Sequence, residues 1–517
     1  MTAMNHLLSS ALALCALACL GTPARAAEHI EATLALTQEA AGPRIEPAIY
    51  GHFVEHLGTG VYGGLWVGPE SAIPNVRGWR SDVLTALQRI QVPVVRWPGG
   101  CFADDYDWRD GIGPPAQRPV RLNKIWGGVP ETNRVGTHEF MDLTELLGAQ
   151  AYIAGNMGSM PPRAMGQWLE YMTSDSPVST LAQERRRNGR DQPWKVPYFG
   201  VGNESWGCGG NMRPEYAADL HRQYSAFLHT KAVRVASGDG EGRDEVTDIM
   251  LARAKGQMDA ISLHHYTVPG TWENKGRATG FDAQRWAKTL QEVVVGLEDH
   301  IARTERIMDR HDPERRIALY VDEWGLWHDP EPGTNGAFLQ QQNTLRDAMV
   351  AALSFGVFHR HSTRVKMANI AQMVNVLQAL ALTDGPRMVL TPTYHVFDLY
   401  RRFKGATPLK ATLQTPRYRQ GDIELPAVDV SVARGADGAL HLALVNLDPL
   451  RPARVATGLK APARGQVLTA AAMDAHNSYE QPQAVVPAAY AADLQGGSLV
   501  LDLPPKSIVV VTVWEPR

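Results

Sequence analysis

Two glutamates stand out because each directly follows a short apolar run. Glu204 sits in FGVGNES (Phe199–Ser205) and Glu323 in ALYVDEWG (Ala318–Gly325). A pair of carboxyl groups flanking one bond is what glycoside cleavage needs. One group protonates the leaving oxygen and later activates water, while the other attacks the anomeric carbon; retention of configuration requires the two to stand about 5–5.5 Å apart. A lone Glu at a strand end is more often a salt-bridged surface residue. Two of them, with Asn203 beside one and Trp206 and Trp324 just beyond, favour the functional reading.

Such a pair works only if the chain brings positions 119 residues apart face to face, so the elements carrying them matter. From about Pro47, short apolar runs alternate with helical stretches, the pattern of βα units on a parallel sheet. Eight candidate strands follow: Ile49–Val54, Val92–Trp97, Ala151–Ala154, Tyr198–Gly202, Val233–Ser237, Ile261–His265, Ile317–Val321 and Ala368–Val374. Eight is the number a closed (β/α)8 TIM barrel requires, and such barrels present their chemistry where strands end and loops begin. The residues at those ends form a coherent polar set: Glu55, Arg96, Asn203 and Glu204, the run His264-His265-Tyr266, Asp322 and Glu323, and Gln372. Strongly helical stretches, Asp282 to Arg310 and Ala337 to Phe358, flank the seventh strand.

The barrel is expected over 47–390. From 391 to 517 the texture becomes short strands with turn signals such as Gly435-Ala436-Asp437-Gly438, which reads as an antiparallel β-sandwich. The alternating segment His29–Thr37, within 27–46, is expected to join that sandwich. Ahead of it, Leu7–Leu20 is apolar but too short to span a bilayer, and Ala24-Arg25-Ala26 offers a cleavage site. Residues 1–26 therefore read as a signal peptide, with a secreted or periplasmic product and no membrane partner after its removal. No Lys or Arg precedes the apolar run, and a lipoprotein reading at Cys19 fits less well because Ala16 stands where Leu is usual.

The chain has 517 residues, 44% hydrophobic and 20% charged, with net charge -3 and no long basic run, which argues against nucleic acid as a partner. Of four cysteines, only Cys101 and Cys208 lie beyond the leader. They could pair, but they are no disulfide framework.

The motifs IYGHFVEHLG (Ile49–Gly58), RWPGGCFADDYDWRDGIGP (Arg96–Pro114), FGVGNESWG (Phe199–Gly207), ISLHHY (Ile261–Tyr266), YVDEWG (Tyr320–Gly325) and PTYHVFDLYRRF (Pro392–Phe403) occur in an order and spacing that resemble glycoside hydrolase family 51, the α-L-arabinofuranosidases. The resemblance runs from about Tyr50 to Phe403. It implies a retaining exo-enzyme acting on arabinose-containing polysaccharide or oligosaccharide, with Glu204 as acid/base and Glu323 as nucleophile, no cofactor and no metal. It also implies that Glu55, Asn203, Tyr266 and Gln372 contact the sugar or the nucleophile, and that Arg96 keeps Glu323 ionised. Trp206 and His265 join them as candidate sugar contacts. Cys101 stands where many members have Asn, and a thiol is a poor replacement donor. Relatives are commonly homo-oligomers, and some are endo-glucanases or β-xylosidases.

Other readings fit less well. His52-Phe53-Val54-Glu55-His56 matches the H-x-x-E-H zinc-peptidase pattern, but that motif needs a helix and this segment is confined between Pro47 and Gly58. Asp104-Asp105-Tyr106-Asp107 lacks the later ligands of a calcium loop and reads as a solvated rim above Trp108. Neighbouring strand residues point to opposite faces, so His264 and His265 should not share a ligand: one is expected at the barrel mouth and the other toward the helices. A silent sugar-binding protein would keep Trp97, Trp206 and Trp324 without needing both glutamates.

Overall fold

The computed structural model describes residues 29–240 and 242–515; the expected leader, Leu7–Leu20, lies outside them. Eight strands close into a parallel barrel: Gly51–Phe53, Val94–Trp97, Gln150–Gly155, Tyr198–Val201, Val233–Gly240, Ala260–Thr267, Ala318–Leu326 and Val365–Ala371. The last strand pairs with the first, Asn369 opposite Gly51, which completes the ring. All eight expected runs overlap their strands, though the fifth and seventh strands run on three and five residues further than expected, to Gly240 and Leu326. The eighth starts three residues earlier than expected and ends at Ala371, because the apolar run continues past the point where the chain leaves the sheet.

The barrel interior is solid beneath the mouth. Ala48, Val94, Tyr152, Val235, Ala260, Tyr320 and Met367 form one buried cluster there. This layer is a rigid floor, so the residues above it are positioned by packing rather than by loops alone.

The expected helix Ala337 to Phe358 is shorter at its start. It spans Leu345–Arg360, with Thr344 and Asp347 exchanging capping hydrogen bonds at its N-terminus. Nearly all of it is buried, because it lies between the barrel and the sheet domain. Asp282 to Arg310 is helical as expected, but a π-helical stretch at Glu292–Leu297 interrupts it.

The boundary at 391 needs correction. Pro392–Tyr400 is a further helix, capped by Thr391 with Pro at its first position, and it packs on Leu345–Arg360. Strands of the second domain begin at Thr407. They form a ten-stranded sheet in which the N-terminal strand Ile30–Ala40 lies between Thr407–Gln414, antiparallel, and Ala453–Ala456, parallel. Ser498–Leu503, next to one end of the sheet, also contacts Leu440–Asn446 and Ser507–Val513, so the two halves of the sheet face each other over a shared core. Trp286 of the barrel donates its indole N–H to Leu447 O across 3.0 Å and ties the domains together.

Candidate active site

The polar set at the strand ends converges. Oxygens of Glu204 and Glu323 and a ring nitrogen of His264 all lie within 4.8 Å of one another. Glu204 follows the fourth strand with φ 36°, in the left-handed region that a bulky residue adopts only at a cost of roughly 1–3 kcal/mol, a kind of strain that clusters at functional sites. Glu323 is near the end of the seventh strand and only 5% exposed.

Three side chains hold Glu323. Arg96 donates Nη1–H to Oε1 across 2.8 Å, and Tyr266 donates its hydroxyl to Oε2 across 2.8 Å. His264 Nδ1 lies 3.5 Å from Oε2. The backbone approaches as well: a Cβ on Gly100 would come within 2.7 Å of Glu323 Oε1, so only glycine fits there. Arg96 also donates Nη2–H to Asn203 Oδ1 across 2.6 Å, which places Asn203 beside the same carboxylate. Burial opposes the charge on Arg96, but Asp322 and Glu323 outweigh it and hold the guanidinium cationic.

His264 connects the two glutamates. Its Nδ1 is 2.8 Å from Glu204 Oε1 and its Nε2 is 3.3 Å from Asp322 Oδ1. Burial alone would lower its pKa, but Glu323, Asp322 and Glu204 carry it up to about 10, so the ring is an imidazolium at neutral pH. Asp322 accepts the Tyr152 hydroxyl across 2.7 Å. Its burial would raise its pKa, but Arg96, His264 and Tyr152 outweigh this and keep it ionised. Glu204 moves the other way: burial pushes its carboxyl above the ordinary range and Glu323 adds to this, against the hydrogen bond from His264.

Glu55 sits deeper and is 3% exposed. Its Oε1 accepts from Phe102 N–H and from Trp126 Nε1–H, both across 2.9 Å, while Gln372 Nε2 donates to Oε2 across 3.3 Å. Burial, then the charge of Glu323, raises its pKa to about 7. Gln372 follows the last strand and also accepts the Glu55 backbone N–H.

Two candidates are placed differently from expectation. His265 does not join the carboxylates. Its ring pairs with His300, Nδ1 to Nδ1 across 3.1 Å, on the outer wall of the groove beside the π-helical stretch, and its pKa falls to about 3, chiefly through burial. His264 takes the central position. Cys101 is no thiol donor at all, because it is disulfide-bonded to Cys208. Trp206 lines the groove, with Arg243 over its ring and its indole N–H bonded to Gly238 O.

The sequence reading placed Asp322 among the strand-end residues without giving it a role, and it missed Trp126 and Asp104 as site residues. Asp104 is buried rather than solvated. Its carboxylate accepts N–H bonds from Met157, Gly158 and Asn203, so it anchors the backbone just before Glu204. The H-x-x-E-H residues diverge: His52 packs on Phe397, and His56 binds Glu131 and Trp97.

A groove of about 470 Å³ opens from Glu204, His264 and Tyr266 toward Trp206, Trp272 and Trp327. Trp327 stands edge-on to both Tyr266 and Trp272. Glu55 and Gln372 are buried and lie outside the lining of this groove.

Residues 86–285 match a family model described as the α-L-arabinofuranosidase 1 domain, and 322–507 match that of the α-L-arabinofuranosidase C-terminal domain. A Bacteroides ovatus protein named as an intracellular exo-α-L-arabinofuranosidase is 47% identical over 90% of this chain and 92% of its own. The crystal structure of a GH51 arabinofuranosidase from Xanthomonas axonopodis pv. citri superposes with TM-score 0.91 at 52% identity, covering 94% of this chain and all of that one. An α-L-arabinofuranosidase from Thermotoga maritima, in an arabinose complex, gives 0.82 at 29% identity, with coverage of 94% and 100%. The intracellular name of the Bacteroides relative overturns the expectation of a signal peptide and a secreted or periplasmic product. Fold, site and relatives agree on one assignment: the chain belongs to glycoside hydrolase family 51, the α-L-arabinofuranosidases.

Proposed function

We propose that this protein is a retaining exo-α-L-arabinofuranosidase that removes terminal non-reducing arabinofuranosyl groups from arabinose-containing polysaccharides or oligosaccharides. The observation that carries the reading is the separation of Glu204 and Glu323, whose nearest oxygens lie within 4.8 Å. That leaves no room for a water between the carboxylate and the sugar, so one carboxylate must attack directly.

Glu323 is the nucleophile. Arg96 and Tyr266 orient it and keep its charge in place for attack on the anomeric carbon. Glu204 is the acid/base. It gives its proton to the leaving oxygen, then takes one from the water that releases arabinose. The His264 imidazolium stays charged through both steps, so it can stabilise Glu204 as the carboxylate forms. Asn203 faces the sugar hydroxyl next to the reacting carbon. Glu55 and Gln372, hydrogen-bonded to each other, grip the far hydroxyls and close the pocket behind one sugar ring. The tryptophan-lined groove on the Glu204 side receives the rest of the substrate. The burial of Glu55 and Gln372 supports exo action over an endo-glucanase, and two carboxyl groups focused on one point support an enzyme over a silent sugar binder.

The test is a panel of aryl α-L-arabinofuranosides, β-xylosides and β-glucosides, with NMR of the first-formed sugar. Preference for the arabinofuranoside and an initial α-anomer are expected. A first-formed β-anomer would end the retaining assignment.

A further inference from the structure

The Cys101–Cys208 bond lies beside the catalytic carboxylates. Cys101 follows Gly100, where an added Cβ would come within 2.7 Å of Glu323 Oε1, and Cys208 follows Glu204 by four residues. Cys208 Sγ is 3.5 Å from Glu204 Oε2, and a disulfide sulfur carries no hydrogen to donate, so this contact has no hydrogen-bond role while the bond is intact. Cys208 is exposed and lines the groove, which gives a reductant direct access.

We propose that this pair is a reduction-gated metal site: once opened, the two sulfurs and Glu204 bind a borderline-soft divalent cation of the Zn²⁺ class and switch off the enzyme. The donor atoms Cys101 Sγ, Cys208 Sγ and a Glu204 oxygen already lie within 4.8 Å of one another. Two thiolates and one carboxylate suit zinc. Tetrahedral geometry with Zn–S of about 2.3 Å and Zn–O of about 2.1 Å sets a sulfur-to-oxygen edge of about 3.6 Å. The Cys208–Glu204 separation of 3.5 Å already meets that edge. The two sulfurs must part to about 3.8 Å on the same geometry, which Cα atoms 5.4 Å apart permit, and Cys101 Sγ, within 4.8 Å of the Glu204 oxygen, must settle at the same edge of about 3.6 Å. Three protein ligands leave the fourth position for water.

The chemistry balances with a dithiol as the named reductant. The dithiol is oxidised to its own disulfide, the Cys101–Cys208 bond takes up two electrons, and two protons end on the cysteine sulfurs. The cation then displaces these protons to solvent together with any proton on Glu204. Glu204, coordinated through Oε2, has no proton to give a leaving group. That last consequence rests on the acid/base role proposed above; the metal site does not.

The experiment uses the full chain. It is reduced with a dithiol under nitrogen and freed of reductant, and its thiols are counted before and after; a rise of two is expected. Reduced protein should then bind Co²⁺ with a thiolate-to-cobalt charge-transfer band, which oxidised protein lacks. Cys208→Ser should remove the band. Micromolar Zn²⁺ should slow hydrolysis of an aryl α-L-arabinofuranoside on the order of a hundredfold in reduced protein only, reversibly with EDTA. The cobalt band needs no substrate, so its failure is separable from failure of the arabinofuranosidase reading. Failure of the thiols to appear, a reduced protein without the band, equal inhibition of the oxidised form, or an unchanged band in Cys208→Ser would each overturn the proposal.

Discussion

Arg96 holds Glu323 with one arm of its guanidinium, across 2.8 Å, while the other arm holds Asn203 across 2.6 Å. One rigid fork thus joins the ends of the second, fourth and seventh barrel strands. A lysine is a point charge and cannot span both partners. Arg96→Lys should therefore lower kcat/KM on the order of a hundredfold, the scale at which a small misplacement of reacting groups is felt. Steady-state kinetics on an aryl arabinofuranoside check this; a near wild-type value would show that the fork is dispensable.

Gly100 makes the same point through the backbone. The methyl of Gly100→Ala would press on Glu323 Oε1 from 2.7 Å. In variant protein whose fold is checked by circular dichroism, kcat reduced on the order of a hundredfold is expected. Full activity would mean that Glu323 need not stay where it is.

The alkaline limb of the pH profile should belong to Glu204. Burial, reinforced by Glu323, raises its carboxyl and favours the protonated acid at working pH. kcat/KM should fall as pH rises through that value. Glu204→Gln should flatten the limb and slow poor leaving groups far more than activated aryl ones. Equal losses on both classes of substrate would count against its role as acid.

His264 links the site to stability. Its pKa rises from 6.5 to about 10 on folding, through Glu323, Asp322 and Glu204 acting against burial. A group raised in this way stabilises fully below its unfolded value, and the benefit is lost as pH climbs from 6.5 toward about 10. The melting temperature of the wild type should therefore decline across that window. In His264→Gln it should start lower and change less, so the gap between the two closes as pH rises. Parallel curves would show that the ring is not charged in the folded chain.

Glu204 and Glu323 were legible because an apolar run ending in a charged residue is unusual, and a barrel gives such an end a definite place. Which histidine joins them was not. The register between the sixth and seventh strands shifts between Ser262 and His264, so counting alternate residues along HHY cannot say which ring faces the mouth. Asp104 looked like a solvated acid because its partners are backbone amides from segments about 50 and 100 residues away, which leave no mark in the local sequence. The pairing of Cys101 with Cys208 depends on two loops meeting over the barrel mouth, again a tertiary fact. The helix Pro392–Tyr400 is hidden differently: its Thr-Pro start is visible in the sequence, but the change of texture beside it points to a domain boundary at the same place.

The most direct test of the mechanism is chemical rescue of Glu323→Ala. Without a nucleophile the variant should be almost inactive on an aryl α-L-arabinofuranoside, and added azide should restore turnover by occupying the vacated space. The account predicts β-L-arabinofuranosyl azide, with configuration inverted by a single displacement. Retained configuration in that product, or near-normal activity without azide, would contradict the assignment of Glu323 as the attacking group.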